Sequence, residues 1–255
     1  MAILLGIGWD VGGWMGTKQG IAACTFNTQS KELQWIGKPK NTKIIDHTLW
    51  TPQNIIHQLD HSVSIEDFDT TVLGIDASLG FPLEYKKLVN NERTSVEKPS
   101  KEIFNPYAYR ETERHVYERF GKKPLSAPFD KLGNNATLAI TYAMNWYHEQ
   151  SFVIHPQQRW TRGDKVIIEV YPALIKSFKP SDIKNKILSL IPDNIPIHTD
   201  AYDAAICALL ALLYAGNGEV LKNIFLKEPC IKLETATQEG WIYYPVVKVE
   251  DHDTC

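Results

Sequence analysis

At 255 residues and a formal net charge of −3, the chain is long enough for a substantial α/β core, and it carries no global basic field for holding a polyanion. Its 44% hydrophobic and 22% charged content is that of an ordinary globular protein, which excludes a disordered or collagen-like chain. No uninterrupted apolar run reaches the roughly 18 residues of a membrane span, so no membrane partner is expected.

The opening Met-Ala-Ile-Leu-Leu-Gly lacks a basic n-region and runs straight into a strand-like pattern, so no signal peptide is expected. Ile3 to Asp10 is a short apolar run ending on an acid, and Val11-Gly-Gly-Trp-Met-Gly follows, as in a buried strand entering a glycine turn. Gly20 to Phe26 predicts a second strand and Glu32 to Gly37 a third, joined by a turn over Asn27 to Lys31 into an antiparallel meander. Thr51-Pro52 opens a helix, with a hydroxyl N-cap, proline at the first helical position, and Ile55, Ile56 and Leu59 on one face. Thr70 to Asp76 is another apolar strand ending in a carboxylate.

From Pro82 to about Leu132 the periodicity fades. Basic residues (Lys86, Lys87, Arg93, Lys98, Lys101, Arg110, Arg114, Arg119, Lys122, Lys123) interleave there with Tyr and Phe. Residues 84–132 therefore read as an insertion after the fourth strand, with a helix around Ala108 to Phe120 that sets Arg110 and Arg114 on one face. A longer helix is expected from about Asn135 to His148. Val166 to Pro172 predicts a buried strand with a central acid, Glu169, and Ser181 to Leu190 a helix. Asp200 to Gly216 is the most apolar helical pattern in the chain, ended by glycine, yet its first turn carries Asp200 and Asp203 on one face. Glu239 to Val247 is a strand or extended segment. The whole is one α/β domain with a mixed sheet flanked by helices. The four cysteines (Cys24, Cys207, Cys230, Cys255) show no C-x-x-C pair and no disulfide framework, which suits a reducing, cytoplasmic setting.

The acids carry the chemistry. In an open α/β sheet, function gathers where strands end, so Asp10 and Asp76 are expected to converge where the Asp200/Asp203 helix docks. Several carboxylates in one place repel unless cations neutralise them. Hard oxygen ligands select Mg²⁺ or Mn²⁺, and two such ions about 4 Å apart clamp the attacking and leaving oxygens of a phosphodiester. The metal candidates are Asp10, Asp76, Asp200 and Asp203, and the catalytic set is Asp10, Asp76, Asp203 and Glu169. The basic, aromatic insertion then reads as a lid on the substrate side, and nucleic acid as the partner.

Strand–strand–strand–helix–strand, with Asp closing the first and fourth strands and an Asp-x-x-Asp-Ala helix, resembles an RNase H-like fold. The spacing on that helix is similar to that of Holliday-junction resolvases. More specifically, the chain resembles the RNase H-like family catalogued as domain of unknown function 429. The matching stretches are Gly74-Ile-Asp-Ala-Ser-Leu-Gly80, Tyr109-Arg-Glu-Thr-Glu-Arg114, Lys123-Pro-Leu-Ser126 with Asp130-Lys-Leu-Gly133, Ile168-Glu-Val-Tyr-Pro-Ala173, Asp200-Ala-Tyr-Asp-Ala204 and Glu239-Gly-Trp-Ile242. The resemblance implies a metal-dependent nuclease with Asp10, Asp76 and Asp203 as ligands and Asp200 and Glu169 as additions. It also implies a substrate-facing role for Arg110, Glu113, Arg114 and Asp130. The family pattern has Asp at the position of Glu113 and Arg at that of Lys131.

Each residue also has a plainer reading. Asp200 is a candidate N-cap with Asp203 at the third helical position, and Asp10 and Asp76 are candidates for shaping turns. Glu169 needs a partner inside its apolar strand: either metal, or a buried pair with Arg110 or Arg114. Arg110, Glu113 and Arg114 fit a solvated, salt-bridged helix face. Trp14, Trp241 and Tyr243 read as core or rim packing rather than base-stacking platforms. Two rival functions stand beside the nuclease. Asp10-Val-Gly-Gly with Gly16-Thr17 resembles the first phosphate loop of sugar and acetate kinases, although residues 134–255 hold no second core copy. A non-catalytic nucleic-acid or protein-binding module on the same fold is the other.

Overall fold

The computed structural model describes residues 2–16, 18–43, 50–94, 97–129, 132–158, 164–178 and 182–247. Strands β1 (Ile3–Asp10), β2 (Gln19–Asn27) and β3 (Glu32–Trp35) form the expected antiparallel meander, and β4 (Lys40–Thr42) pairs with the start of β2. Helix α1 (Pro52–Leu59) leads to β5 (Thr70–Asp76), which returns parallel to β1. The region read as an insertion holds α2 (Leu83–Val89) and α3 (Glu111–Phe120), and no strand among its described residues. Then come α4 (Leu132–Gln150), β6 (Val153–Ile154) and β7 (Lys165–Val170), the last parallel to β5. The chain closes with α5 (Pro172–Ser177), α6 (Asp182–Leu188), α7 (Asp200–Gly216), β8 (Ile224–Leu226), α8 (Leu233–Glu239), β9 (Ile242–Tyr243) and β10 (Pro245–Val247). The mixed sheet has eight strands in the order β3-β2-β1-β5-β7-β6, with β4 beside β2 and β9 beside β7.

Both faces of this sheet are covered, which explains why β1, β5 and β7 read as continuous apolar runs. Leu5, Ile7, Trp9, Leu73 and Ile75 pack with Ile55 and Ile56 of α1 and with Tyr142 and Trp146 of α4. Leu4, Val72, Val166 and Ile168 point the other way, into a core with α7. Helix α1 starts as expected: Thr51 Oγ1 accepts from the Asn54 amide at 3.0 Å, and Asn54 Oδ1 accepts from the Thr51 amide at 2.9 Å.

Every residue of α7 except Asp200, Asp203 and Ala215 is buried. At about 1.5–3 kcal/mol per buried aliphatic side chain, the five Leu and Ile side chains of α7 contribute about 8–15 kcal/mol as an upper bound. The helix lies directly on the sheet because the strands beneath it carry glycine. A Cβ on Gly8 would sit 2.0 Å from the Ala204 carbonyl oxygen, and one on Gly6 2.4 Å from that of Ala208. Glycine weakens a strand in isolation, so these residues exchange local propensity for the close approach of α7. No helix among the described residues is long and apolar enough to cross a membrane.

Candidate active site

Asp10 and Asp76 are direct partners in the parallel pairing of β1 with β5. Neighbouring strands lie about 4.8 Å apart, and opposed residues point to the same face, so the two acids stand side by side at the strand ends. That face is the one α7 covers. The helix start is pinned by Thr199 Oγ1, which accepts from the Tyr202 amide at 3.2 Å, and by Asn41 Oδ1 of β4, which accepts from the Ala201 amide at 2.7 Å. Thr199 is therefore the N-cap, with Asp200 inside the helix and Asp203 in the fourth position, which corrects the capping role considered for Asp200. Gly20 lets this end settle onto Asp10. One point, its ideal Cβ position, is 2.0 Å from the Asp200 carbonyl oxygen and 3.0 Å from Asp10 Cβ, so those two atoms lie within 5.0 Å of each other.

The electrostatics follow from that crowding. Burial, then the charges of Asp203 and Asp200, push the Asp10 carboxyl up to about 7, against an opposing pull from Lys176. Asp76 is held well above the usual carboxylate range by burial and by Asp10 and Asp203. A cation is what such a group of acids lacks, and Lys176 of α5 supplies one to Asp203. Its ammonium donates to both carboxylate oxygens, at 2.8 and 2.7 Å. Among the described residues, no group of three or more His, Cys, Asp or Glu side chains stands ready as a metal cage. Asp10 and Asp76 fit a hard divalent ion as adjacent oxygen donors, while Asp203 would share its oxygens with, or give up, the lysine to reach one.

Glu169 and Arg110 form a separate assembly. Arg110 is 0% exposed and Glu113 1% exposed, and of the two Glu113 borders the cavity beside Asp10 and Asp76. Arg110 Nε donates to Glu113 Oε1 at 2.7 Å. Its Nη1 donates to Glu169 Oε2 at 2.8 Å and to the Glu239 carbonyl at 3.0 Å, and its Nη2 to Glu169 Oε1 at 2.6 Å and Ser78 Oγ at 3.2 Å. All five guanidinium protons have partners, and none is left for a phosphate. Burial alone would depress the Arg110 pKa, but Glu113 and Glu169 overcome it and keep the group charged. Glu169 Oε2 also accepts from the Leu79 amide at 2.9 Å. Of the two partners open to Glu169, the structure has arginine, so Glu169 is not an open catalytic carboxylate. The substrate-facing assignment of Arg110 is corrected for the same reason, whereas Glu113, held by Arg110, borders that cavity. The expected solvated helix face fails too, because Arg110 sits at the N-cap, where its amide donates to Glu113 Oε2 at 2.6 Å. Arg114 is half-buried. Asp130 and Lys131, like Thr17 of the glycine turn, lie outside the described residues.

Beside Asp10 and Asp76 opens a cavity of about 240 Å³, bounded by Ser78, Leu125, Asn135, Tyr171, Ala173 and Ile242 among others. Burial, then the nearby charges of Asp76 and Glu113, push Tyr171 up to about 12, so its phenol stays a neutral donor at physiological pH. The insertion reaches this cavity with Glu113, Pro124 and Leu125, and none of its basic residues is among the described lining, in place of the expected cationic lid. Several of its lysines have local partners: Lys87 with Glu84 at 2.7 Å, Lys123 with Glu102 at 2.5 Å, and Lys86 with the Gln238 carbonyl.

In the turn after β1, buried Gln19 accepts from the Gly12 amide at 2.7 Å and from the Trp9 indole at 3.0 Å. That occupies a backbone donor which a phosphate loop would present to its ligand. Trp14 is a rim residue, 49% exposed, with its indole N–H on Thr137 Oγ1 at 3.1 Å. Trp241 and Tyr243 are core. Lys176 and Tyr171 are the site residues that sequence reasoning missed. The available signal was Tyr171-Pro172 directly after an apolar strand, which places a proline-started helix at the strand ends. No family model, no curated protein and no solved structure matches the chain.

Proposed function

We propose that this protein is a divalent-metal-dependent phosphodiesterase acting on DNA or RNA, built on an RNase H-like fold and belonging to the family catalogued as domain of unknown function 429. The observation that carries the reading is the pairing of Asp10 with Asp76 at adjacent parallel strand ends, under the Asp203 turn of α7. The strand order β3-β2-β1-β5-β7, antiparallel and then parallel, supports the fold assignment.

Asp10 and Asp76 would hold Mg²⁺ or Mn²⁺. Bound there, the ion would make water acidic enough to attack at neutral pH and would stabilise charge on the phosphate oxygens. Asp203 and its lysine set the charge balance of the site. Lys176 pairs with Asp203, and the added charge of a divalent ion would favour the ionised forms of Asp10 and Asp76 and offset their repulsion of a phosphodiester. Tyr171, held neutral, borders the cavity and would donate a hydrogen bond to a ligand there.

The test is a cleavage screen on single-stranded, double-stranded and branched DNA and RNA with Mg²⁺ or Mn²⁺, comparing the wild type with Asp10→Ala and Asp203→Ala. Loss of cleavage in both variants is expected. Unchanged cleavage in both would sink the mechanism, and ATP hydrolysis that needs Asp10 but is indifferent to Asp203 would point to the kinase chemistry instead.

A further inference from the structure

A groove that reads duplex nucleic acid is long and open, whereas the space beside Asp10 and Asp76 is a bounded cavity of about 240 Å³. That lies below the roughly 300–1,000 Å³ of a drug-sized ligand pocket. It is room for one planar ring and part of its sugar, not for a stretch of stacked base pairs.

The walls suit such a ring. Ala77, Val170, Ala173 and Ile242 are small or aliphatic, and Leu125, 52% exposed, stands at the outer edge. The polar groups are few: the Ser78 hydroxyl, the Asn135 amide and the Tyr171 phenol. Glu113 and Glu169 also border the space; the single Arg110 between them offsets one of their two charges, so this wall stays net negative and favours a neutral base over a phosphate. Asn135 is fixed by donating from Nδ2 to the Val11 carbonyl at 2.5 Å, which ties the cavity wall to the residue after Asp10. An apolar slot with a few fixed polar atoms, beside a pair of acids, is the arrangement that seats a heteroaromatic base while its phosphate stays outside.

We propose that this cavity receives the base of one unpaired nucleotide whose neighbouring phosphate lies against Asp10 and Asp76, so that the substrate is single-stranded, or a frayed or looped position, rather than continuous duplex. The proposal rests on the phosphodiesterase reading and names the substrate class of that site. Taking a base out of a duplex costs its stacking and pairing, and an unpaired strand avoids that cost.

The experiment has a binding arm and a cleavage arm. Fluorescence anisotropy in Mg²⁺ with labelled phosphorothioate oligonucleotides, which resist hydrolysis, compares a single strand, the matching duplex and a single strand made of abasic residues. Cleavage of the corresponding phosphodiesters is followed in parallel. The proteins are wild type, Ala173→Leu to fill the cavity, and Leu125→Ala at the exposed edge, where truncation leaves the core intact. The wild type should bind the single strand at least tenfold tighter than the duplex. Ala173→Leu should lose about tenfold and Leu125→Ala about threefold on the base-bearing strand, and neither should change abasic binding. Equal binding of single strand and duplex, or full binding by both variants, would overturn the proposal. Cleavage without strand preference leaves the phosphodiesterase standing and removes the base pocket. Selective single-strand binding lost in the variants, with no cleavage by the wild type, does the reverse.

Discussion

Asp10→Asn isolates the electrostatic strain at the paired strand ends. In the folded protein burial and neighbouring acids raise the Asp10 carboxyl from 3.8 to about 7. A raised folded-state value means that the folded chain holds this proton more tightly than the unfolded chain. The resulting stability is fully present below about pH 4 and is lost as pH rises through about 7. At about 1.4 kcal/mol per tenfold change in proton affinity, the loss is about 4 kcal/mol, reduced where water reaches the half-buried group. Asp76 is raised in part by Asp10, so removing the Asp10 charge also eases its neighbour. In urea titrations with EDTA, the wild type should lose stability between pH 4 and pH 8. Asp10→Asn should match it at pH 4 and exceed it by about 2–4 kcal/mol at pH 8. Added MgCl₂ should raise the wild type at pH 8 and leave the variant unmoved, because only a ligand that binds the folded state stabilises it. Parallel pH profiles, or a variant less stable than wild type at pH 8, would refute the reasoning.

Four further substitutions, at three positions, probe the scaffold and the site. Gly8→Ala puts a Cβ 2.0 Å from the Ala204 carbonyl oxygen; backbone must move, and a loss of about 2 kcal/mol or more is expected in the same titration. Arg110→Met strips the cation from two buried carboxylates, Glu113 and Glu169, and should cost about 3–5 kcal/mol. Arg110→Lys should fail to restore it, since an ammonium cannot span both carboxylates as the planar fork does. Lys176→Met frees Asp203 from its partner; electron paramagnetic resonance of free Mn²⁺ should then report severalfold tighter binding, while the metal-free protein melts lower.

The central strands and α7 were readable because their signals are long. A largely apolar eight-residue strand ending in Asp10, a seven-residue one ending in Asp76, and a seventeen-residue helix each exceed what chance patterning gives. The α1 start was readable from two residues, since Thr51-Pro52 has a single physical use there. Helix α5 was not. Six residues contain too little period to separate a helix from the tail of a strand, and Lys176 went unnoticed with it. Arg110 misled for another reason. Charge at helical spacing is usually solvated, and burial of this one depends on Glu169, Glu239 and Ser78, which are remote in sequence. Glycine in strands carried more meaning than its turn propensity suggests, for Gly6 and Gly8 mark where a helix backbone lands.

The most direct test of a metal site at paired strand ends is a Mn²⁺ titration at pH 8, read by electron paramagnetic resonance, on the wild type, Asp76→Asn and Glu169→Gln. Asp76 stands beside Asp10, whereas both Glu169 oxygens are taken by Arg110. The expected result is specific binding by the wild type, weakened at least tenfold in Asp76→Asn and retained in Glu169→Gln. Binding by Asp76→Asn equal to the wild type, or no specific Mn²⁺ binding by the wild type, would contradict it.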